Sequence, residues 1–134
     1  DYRPRLVEFL DETADNIDQV MKEYADQKPY IAEVTPAVGS TVMVDALPSE
    51  VVVRFSEPMS MNGYGMNWIQ RHGIEHIPIE GSLRWQDEYT LVIPLDTAAL
   101  EPGKTYGANL LGWAFRSQKG FPVSGYYEVY FTVR

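Results

Sequence analysis

Cysteine is missing from all 134 residues, which removes disulfide frameworks, zinc ribbons and thiol nucleophiles and leaves the redox compartment open. Histidine is nearly missing too. With only His72 and His76 to act as a base, and with Ser40, Ser56, Ser117 and Ser124 all outside a GxSxG frame, a nucleophilic triad has no support. Basic residues are in deficit, 11 against 19 acidic, and the formal charge of -8 disfavours nucleic acid and anionic membrane as partners. No apolar run approaches the roughly 20 residues that would span a bilayer. A glycine-rich phosphate loop and a DxDxDG run of the EF-hand kind are also lacking, and no cofactor is expected. The first residue is Asp1 rather than Met, so a trimmed start is expected, with a signal peptide, an anchor or an upstream domain ahead of it.

What is present divides at Pro29. Before it, the segment from Pro4 to about Gln27 has no glycine and no internal proline, and its apolar residues Leu6, Leu10, Ile17, Val20 and Tyr24 recur at helical spacing. With Thr13 they form a seam that alternates steps of four and three, while Glu and Asp dominate the outer face. The spacing predicts an amphipathic helix that packs on its own domain or on a neighbour, or that dimerises. Pro29 ends it, because a proline ring cannot continue the helical ladder and forces Lys28 out of the α region.

After Pro29 the period shortens to two. Strands are expected over Tyr30 to Thr35, Val51 to Phe55, Met66 to Gln70, Ile77 to Trp85 with a break at Gly81, Tyr89 to Leu95, Tyr106 to Leu111, and Tyr127 to Val133. Val51, Val53 and Phe55 share one face of VVVRF, and Tyr127, Val129, Phe131 and Val133 one face of YEVYFTV. Thr97 to Leu100 reads as a single helical turn. Tyr106 follows a Pro-Gly turn at the start of a late strand, the place where a tyrosine corner bonds the backbone upstream.

Four segments occur in order: TPAVGSTV at Thr35 to Val42, VVVRFSEPMS at Val51 to Ser60, LEPGKTY at Leu100 to Tyr106, and YEVYFTV at Tyr127 to Val133. As a set they resemble the bacterial Ig-like domains of the S-layer and cell-surface type, over roughly residues 30–134. The resemblance implies an all-β fold, an Ig-like Greek-key β-sandwich of about seven strands, here preceded by one N-terminal amphipathic α-helix. It divides the chain into a helix or linker at 1–29 and a sandwich domain at 30–134. It further implies an extracytoplasmic, noncatalytic accessory or adhesion module, joined to an upstream domain of the same chain. Relatives carry a DxxGN-like segment before the last strand, where this chain has RSQKGFPVSG at Arg116 to Gly125. That loop also resembles, in part, the small periplasmic copper carriers of Ig-like topology. They bind copper through an N-terminal His and the His of a GH pair, but Phe121 stands at the second position and the helix start has no His.

Of the motifs that could carry chemistry, HxxEH at His72 to His76 matches an inverted zinc-peptidase signature. That chemistry needs both imidazoles on one helical face. Gly73 and Pro78 argue for a turn and strands instead, in which the imidazoles would stand roughly 13 Å apart. Met59, Met61 and Met66 could bind Cu(I) but read as packing. The aromatics Tyr64, Trp68, Trp85, Trp113, Phe115, Phe121 and Tyr126 exceed what a core of this size needs. At least one of Trp68 and Trp85 is expected in the core. The long loop before the last strand makes Trp113, Phe115 and Phe121 the candidate ligand residues, for a glycan or protein partner.

Overall fold

The computed structural model describes residues 17–22 and 24–134. Its frame follows from the alternating strands. β3 (Glu50–Phe55) turns Val51, Val53 and Phe55 inward. It pairs antiparallel with β1 (Ile31–Thr35) on one side and with β7 (Thr90–Pro94) on the other. β6 (Arg84–Asp87) closes the far edge, giving a four-stranded sheet in the order β1-β3-β7-β6. The second sheet is built on β8 (Thr105–Leu111) and β9 (Tyr126–Val133), which pair antiparallel along the whole of β8. β2 (Ser40–Val42) lies parallel to β9, and the other edge of β8 is shared by β4 (Met66–Asn67), antiparallel, and β5 (Ile74–His76), parallel.

Between the sheets lies one core, in which Val53, Phe55, Leu91, Ile93, Leu110, Phe115 and Phe131 are buried together. The architecture is therefore a two-sheet, sandwich-like β fold with a short helix ahead of it. The helix covers residues 17–22 and 24–27, and Lys28 still donates to the Tyr24 carbonyl at 2.8 Å before Pro29 ends the ladder. Its expected seam residues Leu6, Leu10 and Thr13 lie outside the described residues. Ile17, Val20 and Met21 are exposed, whereas Tyr24 and Gln27 touch the loop at Lys119 to Pro122. No helix among the described residues is long and apolar enough to cross a membrane.

Three departures from the expected strands have local causes. β2 emerges inside the Pro and Gly segment, where three residues are too few to show a period. The strand expected from Ile77 does not form as one piece: Ile77 is buried in the core, Ile79 makes an isolated bridge with Leu95, and β6 begins only at Arg84. β4 stops at Asn67 because the chain swings out to Gly73 and returns as β5 beside the same strand, β8. Outside the core, Glu50 on β3 and Arg84 on β6 form an ion pair across β7, over the outward-facing and fully buried Val92.

Tyr106 opens β8 with its ring in the core and its hydroxyl bound to the preceding loop. The Glu101 N–H donates to it at 2.9 Å, and the hydroxyl donates at 3.3 Å to the carbonyl of Ala99, the last residue of the single turn Thr97–Ala99. Tyr106→Phe keeps the ring and strands both backbone groups, so a loss of about 1–3 kcal/mol is expected in urea unfolding. A variant as stable as the parent would show that the two bonds contribute nothing net.

Candidate functional site

The loop after β8 begins with a 3-10 turn at Gly112–Ala114. Trp113 lies within the turn, whereas Phe115 just after it is already extended, with φ -112° and ψ 111°, so the chain changes direction between them. Trp113 points to solvent and is 64% exposed, while Phe115 is 1% exposed. Phe115 packs on Phe55 at 5.5 Å and presents an edge contact to Trp85 at 6.3 Å. The structure thus puts Phe115 inside the core, away from any ligand surface. Phe121 is half-buried, with its ring 6.2 Å from that of Tyr24, and its N–H donates to the Ser117 hydroxyl. The three candidate residues occupy three places: surface, core and helix contact.

Trp113 instead lies at the same end of the sheet as other aromatics of the wider set. Leu111 donates its N–H to the Gly65 carbonyl at 3.0 Å, and Gly112 donates to the Gly125 carbonyl at 2.9 Å. Leu111 is also the strand partner of Tyr126. These bonds bring exposed Tyr64, Trp113 and Tyr126, each adjacent in sequence to a latched residue, to one rim of the five-stranded sheet. Gly65 is required there, since a Cβ at that position would meet the Ala114 Cβ at 2.6 Å.

Below this rim runs the outer face of the same sheet. Val129, Phe131 and Val133 face the core, so Glu128, Tyr130 and Thr132 face outward, and across β8 so do Gly107 and Asn109. Asn109 donates through Nδ2 to Asn67 Oδ1 at 3.1 Å. Arg71 pairs with Glu128 and lies 5.5 Å from the Tyr130 ring centre. Ile69 is buried over Gly107, where any side chain would collide with it. Trp68, 65% exposed, stacks on His76 with ring centres 4.7 Å apart and planes 16° off parallel. Trp85, by contrast, packs inward on Phe55, so one of the two strand tryptophans is interior and the other is not.

The HxxEH segment is divided by its own turn. Gly73, with φ at +89°, ends the excursion, and only Ile74, Glu75 and His76 enter β5. His76 faces outward beside Gly107, and its Nδ1 has no hydrogen-bond partner. Among the described residues no group of three or more His, Asp or Glu side chains is placed to hold a metal. The copper-carrier position fits no better, because Phe121 offers no ligand atom and is packed under Tyr24. Met59 is a core residue, Met66 packs against the core and Met61 is exposed, so the methionines do not converge.

Burial lowers the pKa of His76 below its ordinary value of 6.5, because the charged imidazole loses hydration. The folded state therefore prefers neutral His76. Its contribution is complete above the unfolded pKa and is lost as pH falls through that value toward the lower folded one. His76→Gln is expected to flatten the fall in Tm between about pH 7 and about pH 5. An unchanged slope would assign that fall to other groups.

On the opposite side of the molecule, the outer face of the four-stranded sheet holds a hollow of about 240 Å3 lined by Glu33, Thr35, Val52, Arg54, Gln86, Asp87 and Thr90. Asp87 is held below the usual carboxylate range, first by the Tyr89 N–H and then by the Thr90 hydroxyl. Compared with models of known protein families and with curated proteins, the chain matches none.

Proposed function

We propose that the chain is a noncatalytic Ig-like module of a secreted or cell-surface bacterial protein, with the helix joining the sandwich to an upstream domain. The observation that carries this reading is the strand order. Ig-like sandwiches order their strands A-B-E-D in one sheet and G-F-C in the other. The order β1-β3-β7-β6 follows the first, and β9-β8-β4 follows the second, with β2 added beside β9 and β5 added, parallel, beside β8 on the edge it shares with β4. The Tyr106 hydroxyl, bonded to the backbone upstream at the start of the F-equivalent strand, adds independent support. The test is cell fractionation with protease shaving in the organism that makes the protein. Cleavage on intact cells, or recovery from the medium or periplasm, is expected; recovery from the cytosol alone would sink the reading.

A second reading, that the module binds a ligand, is favoured by the exposed rim. In Ig terms Tyr64 lies on the B–C loop and Trp113 on the F–G loop, which belong to the same end of a sandwich. Large aromatics left in solvent cost hydration free energy unless something covers them.

A further inference from the structure

We infer that the outer face of the five-stranded sheet binds a neutral oligosaccharide, with Trp113 and Tyr126 at one end and Trp68 at the other. The inference rests on the ligand-binding reading above and names its substrate class. A sugar ring presents an apolar C–H face bordered by hydroxyls, so its receptor needs flat, open aromatic faces and, between them, side chains that both donate and accept hydrogen bonds. This face has both. Trp68, Trp113 and Tyr126 are each about two-thirds exposed. Trp68 is held in place by its stack on His76, and the backbone that carries Trp113 is held by the latched 3-10 turn. At the Trp68 end, little side-chain freedom therefore remains to be lost on binding.

Spacing fits an extended ligand. Trp68 sits on His76, which shares Gly107 as strand neighbour with Tyr130, four residues along β9 from Tyr126. The two aromatic ends are thus separated by roughly 13 Å of strand, enough for about two or three sugar rings laid along the sheet. In the interval lie Asn67, Asn109 and Glu128, one row across the three strands. Asn109 uses Asn67 Oδ1 as acceptor, which leaves the exposed Asn67 amide hydrogens for a ligand, while Glu128 and Arg71 supply an acceptor and a donor whose charges cancel.

Charge selects among glycans. The formal charge of -8 repels uronic acid and sulfate polymers, and the face itself carries a balanced pair. The arrangement also argues against a protein partner. Protein interfaces place apolar anchors at the centre and polar groups at the rim, whereas here the amide and carboxylate row is central and the aromatics are terminal.

The experiment is calorimetric titration of the whole chain with cellohexaose, xylohexaose, mannohexaose and chitohexaose, with a polygalacturonate oligomer as the anionic control, alongside tryptophan emission. Saturable binding of at least one neutral hexasaccharide is expected, with a blue shift. Trp68→Ala and Trp113→Ala should each weaken it about tenfold, with Trp68→Phe recovering most of the loss and the Tm of all three close to the parent. No binding of any neutral hexasaccharide, binding indifferent to both alanine variants, or binding confined to the anionic oligomer would each overturn the inference. A photo-crosslinker at position 64, exposed on the same rim but outside the proposed contacts, that traps a protein rather than a sugar also overturns it, yet leaves the ligand-binding reading standing.

Discussion

Replacing Phe115 with alanine is expected to remove about 3–5 kcal/mol of folding stability, the range for deleting a buried aromatic side chain. Its ring is 1% exposed and sits between Phe55 of the four-stranded sheet and the inner face of Trp85, so it joins the loop after β8 to the opposite sheet. The neighbours that would have to collapse into the space are themselves fixed. Phe55 and Met59 are fully buried, and both are tied into backbone bonds, Phe55 to the Tyr89 carbonyl and Met59 to the Glu88 carbonyl. Relaxation is therefore limited, and the cost belongs at the upper end of that range. A domain of this size has about 5–15 kcal/mol in total, so the variant should unfold at far lower urea with an unchanged slope. Trp113→Ala, two residues away, should move the midpoint little. Equal effects of the two substitutions would mean that Phe115 does not fill the core between the sheets.

That contrast marks where the sequence could be read and where it could not. VVVRF and YEVYFTV show their inward faces by alternation alone, and the strands follow at Val51, Val53 and Phe55 of β3 and at Val129, Phe131 and Val133 of β9, whereas Tyr127, expected on the same face, is exposed. LEPGKTY likewise announces the Tyr106 bonds, because a tyrosine after a Pro-Gly turn at the start of a late strand is where a tyrosine corner bonds the backbone upstream. The ligand residues were harder to place. Trp113, Phe115 and Phe121 share a loop in the sequence, and nothing in composition reveals that a 3-10 turn ending just before Phe115 leaves Trp113 exposed and sends Phe115 into the core. Trp68 lies in a segment with strand-like composition. It is exposed because β4 ends at Asn67, and that ending depends on β5 returning to the same edge of β8, a long-range parallel pairing without a local signal.

Gly107 and Gly112 show the same division in another form. Both lie in or beside β8, where glycine lowers strand propensity and by itself indicates only a weak point. In three dimensions each admits a neighbour: Gly107 admits Ile69 onto the outer face, and Gly112 admits the backbone at Val123 and Gly125. The first docks the segment that carries Trp68, and the second latches the loop that carries Trp113. The two ends of the candidate face thus depend on two missing side chains.

Gly112→Ala is accordingly expected to be the most disruptive single-methyl change near the candidate face, at about 3 kcal/mol or more. The added Cβ would fall inside contact distance of the Gly125 and Val123 carbonyl oxygens. Both are backbone atoms. The Gly125 oxygen accepts the Gly112 N–H at 2.9 Å, and Val123 donates its own N–H to the Phe115 carbonyl at 2.9 Å, so neither can retreat without breaking a bond of the loop. Opening the loop would release Trp113 from the rim and loosen Phe115 in the core, and the loss should appear in thermal unfolding and in tryptophan emission together. Gly63→Ala provides the comparison. That position has nothing within 4 Å of the new methyl and no positive φ, although its carbonyl accepts the Trp85 indole N–H at 3.0 Å. Its stability should remain within about 0.5 kcal/mol of the parent. If Gly112→Ala were equally silent, the backbone latch between Gly112 and Gly125 would not be what holds Trp113 at the rim, and the preorganisation argued for that end of the face would fail with it.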